Sequence, residues 1–293
     1  MSWRTVIIAN RCKLDLKMGY MVVRGEETKR VFLDEIDILL IENPAVSLTG
    51  CLLVALTARK IRVIFCDEKR NPIGELAPHY GCYDCSSKLR SQIAWDDAVK
   101  DLIWAEIVAE KLRNQARYLR MQQHSDTAAL LDDYIAQIEP GDSTNREGHG
   151  AKVYFNALFG KDFTRTADTS VNAALNYGYS LLLSAFNREI AALGYATQLG
   201  FFHNNMFNFF NLSCDLMEPF RIAVDRCVVT MAPTVLDTEE KRLLAHLLHT
   251  SVTIANTTQT FLNAVKIYTR SIFDAVNDRD MSKIQWPIFF EET

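Results

Sequence analysis

The chain lacks a basic n-region followed by an apolar stretch and a small-residue cleavage site, so its start, MSWRTVIIANRCKLDL, predicts no secretion signal. It also lacks a bilayer-length apolar run. The stretch 190–214, without formal charge apart from any on His203, carries Gln198, Asn204, Asn205, Asn208, Asn211 and two glycines, which is too polar for a membrane span. A soluble, cytoplasmic protein is expected. Seven cysteines, an odd number without framework spacing, exclude a disulfide scaffold and fit a reducing compartment. Cys82 and Cys85, with His79 upstream, would supply three zinc ligands. No second CxxC or CxxH pair follows, and a structural zinc site wants four ligands, so a plain turn is the preferred reading. Repeats and low-complexity segments are missing as well. Excess positive charge is absent: the formal net charge is −4, so any nucleic-acid surface must be a local patch.

What is present is ordinarily globular: 293 residues, 48% hydrophobic and 23% charged, enough for one large or two medium cores. Segments 5–9, 15–24, 29–42 and 61–66 are rich in Val, Ile, Leu and aromatic residues and read as strands. One helix interrupts them, capped by Ser47, with Leu52, Leu53 and Leu56 as its apolar stripe. From about Ser87 the period becomes helical. Helices are predicted over 95–123, over 128–138 with Pro140-Gly141 as the stop, over 145–160, and over 171–193 with Gly194 as the residue after the end. Others follow from Ser213, from Glu239 and over 252–276. The fold class is therefore α+β: a small β domain at 1–77, a linker at 78–90 and a larger helical domain at 91–293.

Two acids end the uncharged run, in Asp215-Leu216-Met217-Glu218-Pro219-Phe220-Arg221. A helix starting near Ser213 would put Asp215 and Glu218 on one face. Acids beside apolar sequence are costly to bury unless paired, protonated or bound to a metal, which makes these candidates for hard-cation ligands. His203 lies 15 positions before Glu218. One continuous helix would hold the two about 22 Å apart, so they converge only if the Asn-rich stretch 204–211 turns the chain. Glu147, in Thr144-Asn145-Arg146-Glu147-Gly148-His149, is the best third candidate. Each residue has a structural alternative. Thr144-x-x-Glu147 fits a capping box, His203 could be a hydrogen-bonded core residue, Glu218 could pair with Arg221, and Asp215 could serve a helix N-terminus.

A glutamate opening a helix with Ala151 and Tyr154-Phe155 behind it, a later glycine-aromatic-His, and then Asp-Leu-x-Glu-Pro-Phe-Arg resemble the CRISPR-associated adaptation integrases, most nearly their type II members. Ile41 to Ser47 and Val63 to Asp67 resemble that family's β domain. The resemblance implies that Glu147, His203 and Glu218 are the catalytic metal ligands, that Asp215 is a secondary acid and that the cofactor is Mg²⁺ or Mn²⁺. It implies an enzyme that adds spacers to a CRISPR array, with 3′-hydroxyls of a spacer-precursor duplex attacking leader-repeat DNA. It also implies double-stranded DNA, a homodimer and a small second adaptation protein as partners, and in type II systems an accessory adaptation protein and the effector nuclease. A repair endonuclease with the same ligands, and a non-catalytic assembly subunit, are the alternatives.

For DNA, Arg113, Arg117 and Arg120 fall on one face of the long helix, with Lys88 and Arg90 upstream, where they would contact phosphates; pairing to Glu106 and Glu110 is the competing reading. Lys152, Arg165 and Arg221 flank the candidate site. The apolar segment 284–290 would dock either on a partner or on its own domain.

Overall fold

The computed structural model of the chain describes residues 4–68, 70, 72–76 and 82–290. They belong to two compact units, Met1–Gly81 and Cys82–Thr293. The first is strand-rich and the second helical, the expected α+β organisation.

In the first unit β1 (Arg4–Ile8), β2 (Lys13–Lys17), β3 (Tyr20–Arg24), β4 (Thr28–Phe32), β5 (Ile36–Ile41) and β6 (Ser47–Leu48) precede α1 (Gly50–Ala58), β7 (Arg62–Cys66) and β8 (Pro72–Glu75). They form two four-stranded sheets, ordered β1-β5-β7-β8 and β4-β3-β2-β6. β5 and β7 pair in parallel inside the first sheet, and burial on both faces is why IDILLI and RVIFC are nearly continuous apolar runs. Leu14, Met21, Leu33, Leu39, Leu52, Leu56 and Val63 close the core.

Three expectations change here. Segment 15–24 is a hairpin, not one strand, because Met18 and Gly19 both adopt positive φ (50° and 82°) and make the two-residue turn that right-twisted strands favour. Segment 29–42 is broken by a 3-10 turn at Leu33–Glu35. Ser47 pairs with Lys13 in the sheet, so Thr49 takes over the cap of α1 and accepts from the Leu52 N–H.

The second unit contains α2 (Cys85–Ile93), α3 (Asp97–Met121), α4 (Ser125–Ile135), α5 (Arg146–Phe159), α6 (Ser170–Ala192), α7 (Asn211–Leu216), α8 (Arg221–Met231), α9 (Thr238–His246), β9 (Ser251–Ile254), β10 (Thr257–Thr260) and α10 (Phe261–Asp278). α2 begins inside the segment expected to link the domains. Asp96 and Thr169 cap α3 and α6, and Gly194, at φ 86°, ends α6. Ile103, Ile107, Leu112 and Leu119 of α3 pack into the core with Leu175, Leu182 and Phe186 of α6 and with Val265, Tyr268 and Ile272 of α10. The helix expected over 252–276 is instead the hairpin β9–β10 followed by α10. Its β-branched residues favour strand, and Ala255 and Asn256 supply a second pair of positive-φ turn residues. Segment 284–290 packs on its own unit: Ile288 N–H donates to Thr253 O at 2.8 Å, Phe289 meets Phe220 and Phe290 meets Tyr118.

All seven cysteines are free thiols. Cys82 and Cys85 sit at the entry to α2, where the Cys82 thiol donates to Asp84, and His79 lies outside the described residues. No helix among the described residues is long and apolar enough to cross a membrane.

Candidate functional site

Helix α3 builds the floor of the site. Trp104, Val108 and Lys111 recur at i, i+4 and i+7, one stripe facing the interior, and all three are buried. A lysine on such a stripe has to find counter-charges. The Lys111 ammonium bonds to Glu147 at the start of α5 and to Glu218 Oε2 at 2.5 Å. Glu218 begins the 3-10 turn between α7 and α8, and its other oxygen takes Arg221 at 2.8 Å. Close approach of α5 to α3 depends on Gly150, where a Cβ would lie 2.4 Å from Leu112. Burial works to lower the Lys111 pKa, but Glu147 and Glu218 outweigh it and hold the ammonium above its usual value. Lys111 in turn holds the Glu147 carboxyl below its usual range, against burial. The Nε groups of Arg146 and Arg221 are buried and meet no acceptor among the described residues; the Arg221 guanidinium bonds Glu218 through its other nitrogen, while that of Arg146 lies over the Tyr134 ring.

Glu147 is not part of a capping box. Asn145 sits in the left-handed region without a side-chain cap, and Asp142 caps the helix instead, accepting from Arg146 N at 2.8 Å and Glu147 N at 2.9 Å. The Glu147 carboxylate is thereby left to the site.

The chain turns sharply between His203 and Asp215. α7 ends at Leu216, so Asp215 and Glu218 come from different elements rather than one helix face. Asp215 is fully buried and does not serve a helix N-terminus; it accepts the backbone N–H groups of Phe201, Phe202 and His203 at 2.6, 3.1 and 3.1 Å. Its Oδ1 also lies 2.5 Å from His203 Nδ1. A carboxylate already accepting three N–H groups acts as acceptor toward the ring as well. Nδ1 therefore carries the proton, and in the neutral imidazole Nε2 keeps its lone pair. This hydrogen bond to Asp215 is the main cause that raises the His203 pKa. Gly200 makes the turn possible: a Cβ there would sit 2.4 Å from His203 O and 2.7 Å from Asp215 Oδ2.

Behind the carboxylates lies a second buried group. Asp225 accepts from the Tyr179 hydroxyl at 2.5 Å, and the Tyr154 hydroxyl faces the same carboxylate without reaching hydrogen-bond geometry. Tyr179 is flanked by the guanidinium groups of Arg221 (4.7 Å) and Arg165 (5.3 Å). Burial pushes the Asp225 pKa from 3.8 to about 6. A carboxyl raised in the folded state binds its proton before the unfolded chain does. Its contribution to stability is full below pH 4 and is lost as pH rises through about 6. We expect the stability difference between the parent and Asp225→Asn to change by about 2 to 3 kcal/mol between pH 4 and pH 7. Urea unfolding at a series of pH values measures it, and parallel profiles would contradict the assignment.

Of the predicted basic residues, Arg113 pairs with Glu110 at 2.9 Å and Arg120 pairs with Asp132, so part of the α3 face is neutralised within the chain. Arg117 is half-buried, Arg90 is exposed, and the Lys88 ammonium lies 5.7 Å from the Tyr195 ring. Lys152 and Arg165 line a pocket of about 390 Å³ together with Phe155, Lys161 and Phe163. Sequence reasoning missed Lys111, Asp142 and Asp225. The first had a signal, a lysine embedded in an apolar stripe.

Among the described residues, no group of three or more His, Cys, Asp or Glu stands ready to hold a metal ion. The Lys111 ammonium supplies the positive charge between Glu147 and Glu218.

Residues 5–241 match the family described as CRISPR associated protein Cas1. The chain is 32% identical over 300 residues to the CRISPR-associated endonuclease Cas1 of Neisseria meningitidis serogroup C (strain 8013), covering 98% of this chain and 96% of the relative. It is 30% identical over 242 residues to a Cas1 endonuclease of Pyrobaculum aerophilum, covering 75% and 79%. Among solved structures it resembles a casposase bound to integration product, with a TM-score of 0.78 at 17% identity, covering 100% of this chain and 96% of that one. A CAS1 protein from Thermotoga maritima gives a TM-score of 0.75 at 17% identity, covering 99% and 100%. With its fold shared along its whole length and its sequence matched over most of it, this chain belongs to the Cas1 family of CRISPR-associated proteins.

Proposed function

We propose that the chain is the joining enzyme of CRISPR spacer acquisition, which transfers 3′-hydroxyls of a spacer-precursor duplex onto phosphodiesters of leader-repeat DNA. The observation that carries this reading is the convergence of Glu147 and Glu218, from separate elements, on one buried cation, Lys111, with His203 held by Asp215 just before Glu218 in the chain. Membership of the Cas1 family supports it. So does the fold shared with a casposase whose structure holds an integration product.

The residues fit a divalent cation. Two carboxylates and an imidazole Nε2 make a hard, mixed oxygen–nitrogen donor set suited to Mg²⁺ or Mn²⁺, and the place between the carboxylates already demands positive charge. Glu147, Glu218 and His203 would hold the ion. When bound, it lowers the pKa of the attacking hydroxyl and neutralises the phosphate oxygens. Asp215 keeps His203 Nδ1 protonated and its ring fixed. Arg221, which already holds Glu218 and is partly exposed, is a further cation for phosphate oxygens. The exchange makes one phosphodiester for each one broken, so no nucleotide triphosphate is needed. Lys152, Arg165, the half-buried Lys88 and the exposed Arg90 are the candidate track for the DNA backbone. Chains of this family occur in a solved complex named as Cas6-RT-Cas1 with Cas2. We infer a homodimer assembled with a Cas2-type partner in the cytoplasm, joined in type II systems by the accessory adaptation protein and the effector nuclease.

The test is strand transfer of a short 3′-hydroxyl duplex into a supercoiled repeat-containing plasmid with the small partner present. The parent, Glu147→Ala and His203→Ala would be compared in Mg²⁺, Mn²⁺ and EDTA. Metal-dependent joining lost in both folded variants is the expected result. Joining that survives a substitution removes that residue from the site. Cleavage without joining would turn the reading to hydrolysis, with water in place of the 3′-hydroxyl, as the endonuclease names of the relatives suggest.

A further inference from the structure

We propose that Phe202, with Phe207 on the same loop, is a stacking platform for an unpaired base of the DNA strand that enters the site. The proposal rests on the DNA-joining reading above. Phe202 lies flat on the buried Trp104, with ring centroids 4.6 Å apart and planes within 4°. Its edge meets the His203 ring at 5.6 Å and 86°. One face and one edge are thus taken, yet Phe202 remains 50% exposed, so its open area is the outer face. A base laid there would be the third layer of a stack whose middle ring touches His203, a proposed ligand. Base–aromatic stacking accepts every base, because each has a π-face.

The rest of the loop has the same character. Met206, Phe207 and Phe209 are exposed, Phe207 at 83%. Such apolar area on a monomer surface marks a contact site when it is held in place, and this loop is held. Asn205 and Asn208 side chains accept from the N–H groups of Phe207 and Phe210, and Asn211 donates to Gln198 O and Asn205 O. Thr197 donates to Phe209 O. The aromatic rings are therefore carried on a braced segment, which lowers the ordering cost of contact. Between residues 191 and 214 no carboxylate is present to repel phosphate, and Asp215 is occupied by backbone N–H groups. A carboxylate-free loop with exposed aromatic rings, next to a site that holds Arg221 on Glu218, suits a strand that presents bases to one side and phosphates to the other.

The probe is a DNA duplex with unpaired 3′ ends carrying 2-aminopurine at successive unpaired positions, titrated with the full chain. Quenching on binding is expected at one or two positions. Phe202→Leu, which keeps an apolar group against Trp104, should relieve that quenching and weaken binding of the overhang duplex on the order of 10-fold, with blunt duplex changing by less than about twofold. Phe207→Ser, at a position outside the core, should give a smaller loss of the same kind and decides the matter if Phe202→Leu fails to fold by circular dichroism. Unchanged quenching and affinity in the folded variants would overturn the proposal. So would equal losses for overhang and blunt DNA, or an effect confined to oligomeric mass in light scattering, which would make the loop a protein interface. A parent chain that quenches at defined positions yet never joins strands would remove the proposed reaction while keeping the platform.

Discussion

Lys111→Met is expected to lower the stability of the metal-free chain by about 3 kcal/mol, and Mn²⁺ is expected to restore more of it than the same ion adds to the parent. Methionine keeps most of the stem and removes the charge. It leaves Glu147 and Glu218 without the cation that both contact. Breaking a buried pair costs about 3 to 5 kcal/mol because a charge is stranded. The low end applies here, since Arg221 stays on Glu218 and the Glu147 side chain is 29% exposed. A divalent ion held by those carboxylates replaces the missing charge. Urea unfolding of both chains in EDTA and in Mn²⁺ measures the two effects together. A loss that Mn²⁺ does not repair would detach Lys111 from the cation position. No loss at all would mean that the buried ammonium is not the counter-charge.

Asp215→Ala is expected to reduce strand transfer by about 10- to 100-fold, the scale seen when a group that orients a metal ligand is removed. Three backbone N–H groups and the His203 ring lose one acceptor together. Water can reach Phe202 and His203, which are partly exposed, so the loop loosens rather than collapses. His203 then samples both tautomers, and Nε2 is no longer reliably the free nitrogen. Hydrogen exchange at the amides of residues 201–203 should quicken in the variant. Gly200→Ala should act in the same direction, because its methyl would run into His203 O and Asp215 Oδ2. Unchanged exchange together with unchanged joining would show that Asp215 does not hold the loop.

Local pattern reached far in some places. The 3.6-residue period marked α3 and α6, and Gly194 marked the end of α6, because these features depend on neighbours along the chain. It failed at β9–β10, where a run of Val, Thr and Ile was read through into the following helix and the Ala255-Asn256 turn carried no glycine. It failed again at Ser47, where a sheet partner outranked a cap. The Thr144-x-x-Glu147 capping box, the structural alternative for Glu147, does not form for a similar reason: a carboxylate farther upstream, Asp142, takes the N–H groups of Arg146 and Glu147.

The sequence by itself determined the α+β class, the family resemblance and the residue types offered to the site: two glutamates, a histidine and an aspartate in a fixed order. Tertiary structure alone decided what those residues do. Lys111, Glu147 and Glu218 stand 36 and 107 positions from one another along the chain, at Lys111–Glu147 and Lys111–Glu218. No periodicity spans such distances. Their meeting depends on how closely α5 can approach α3 at Gly150 and on where the chain turns after α7. The role of Asp215 was likewise decided by the fold. A carboxylate is an acceptor anywhere, but only the bend at Gly200 places three N–H groups and an imidazole within its reach.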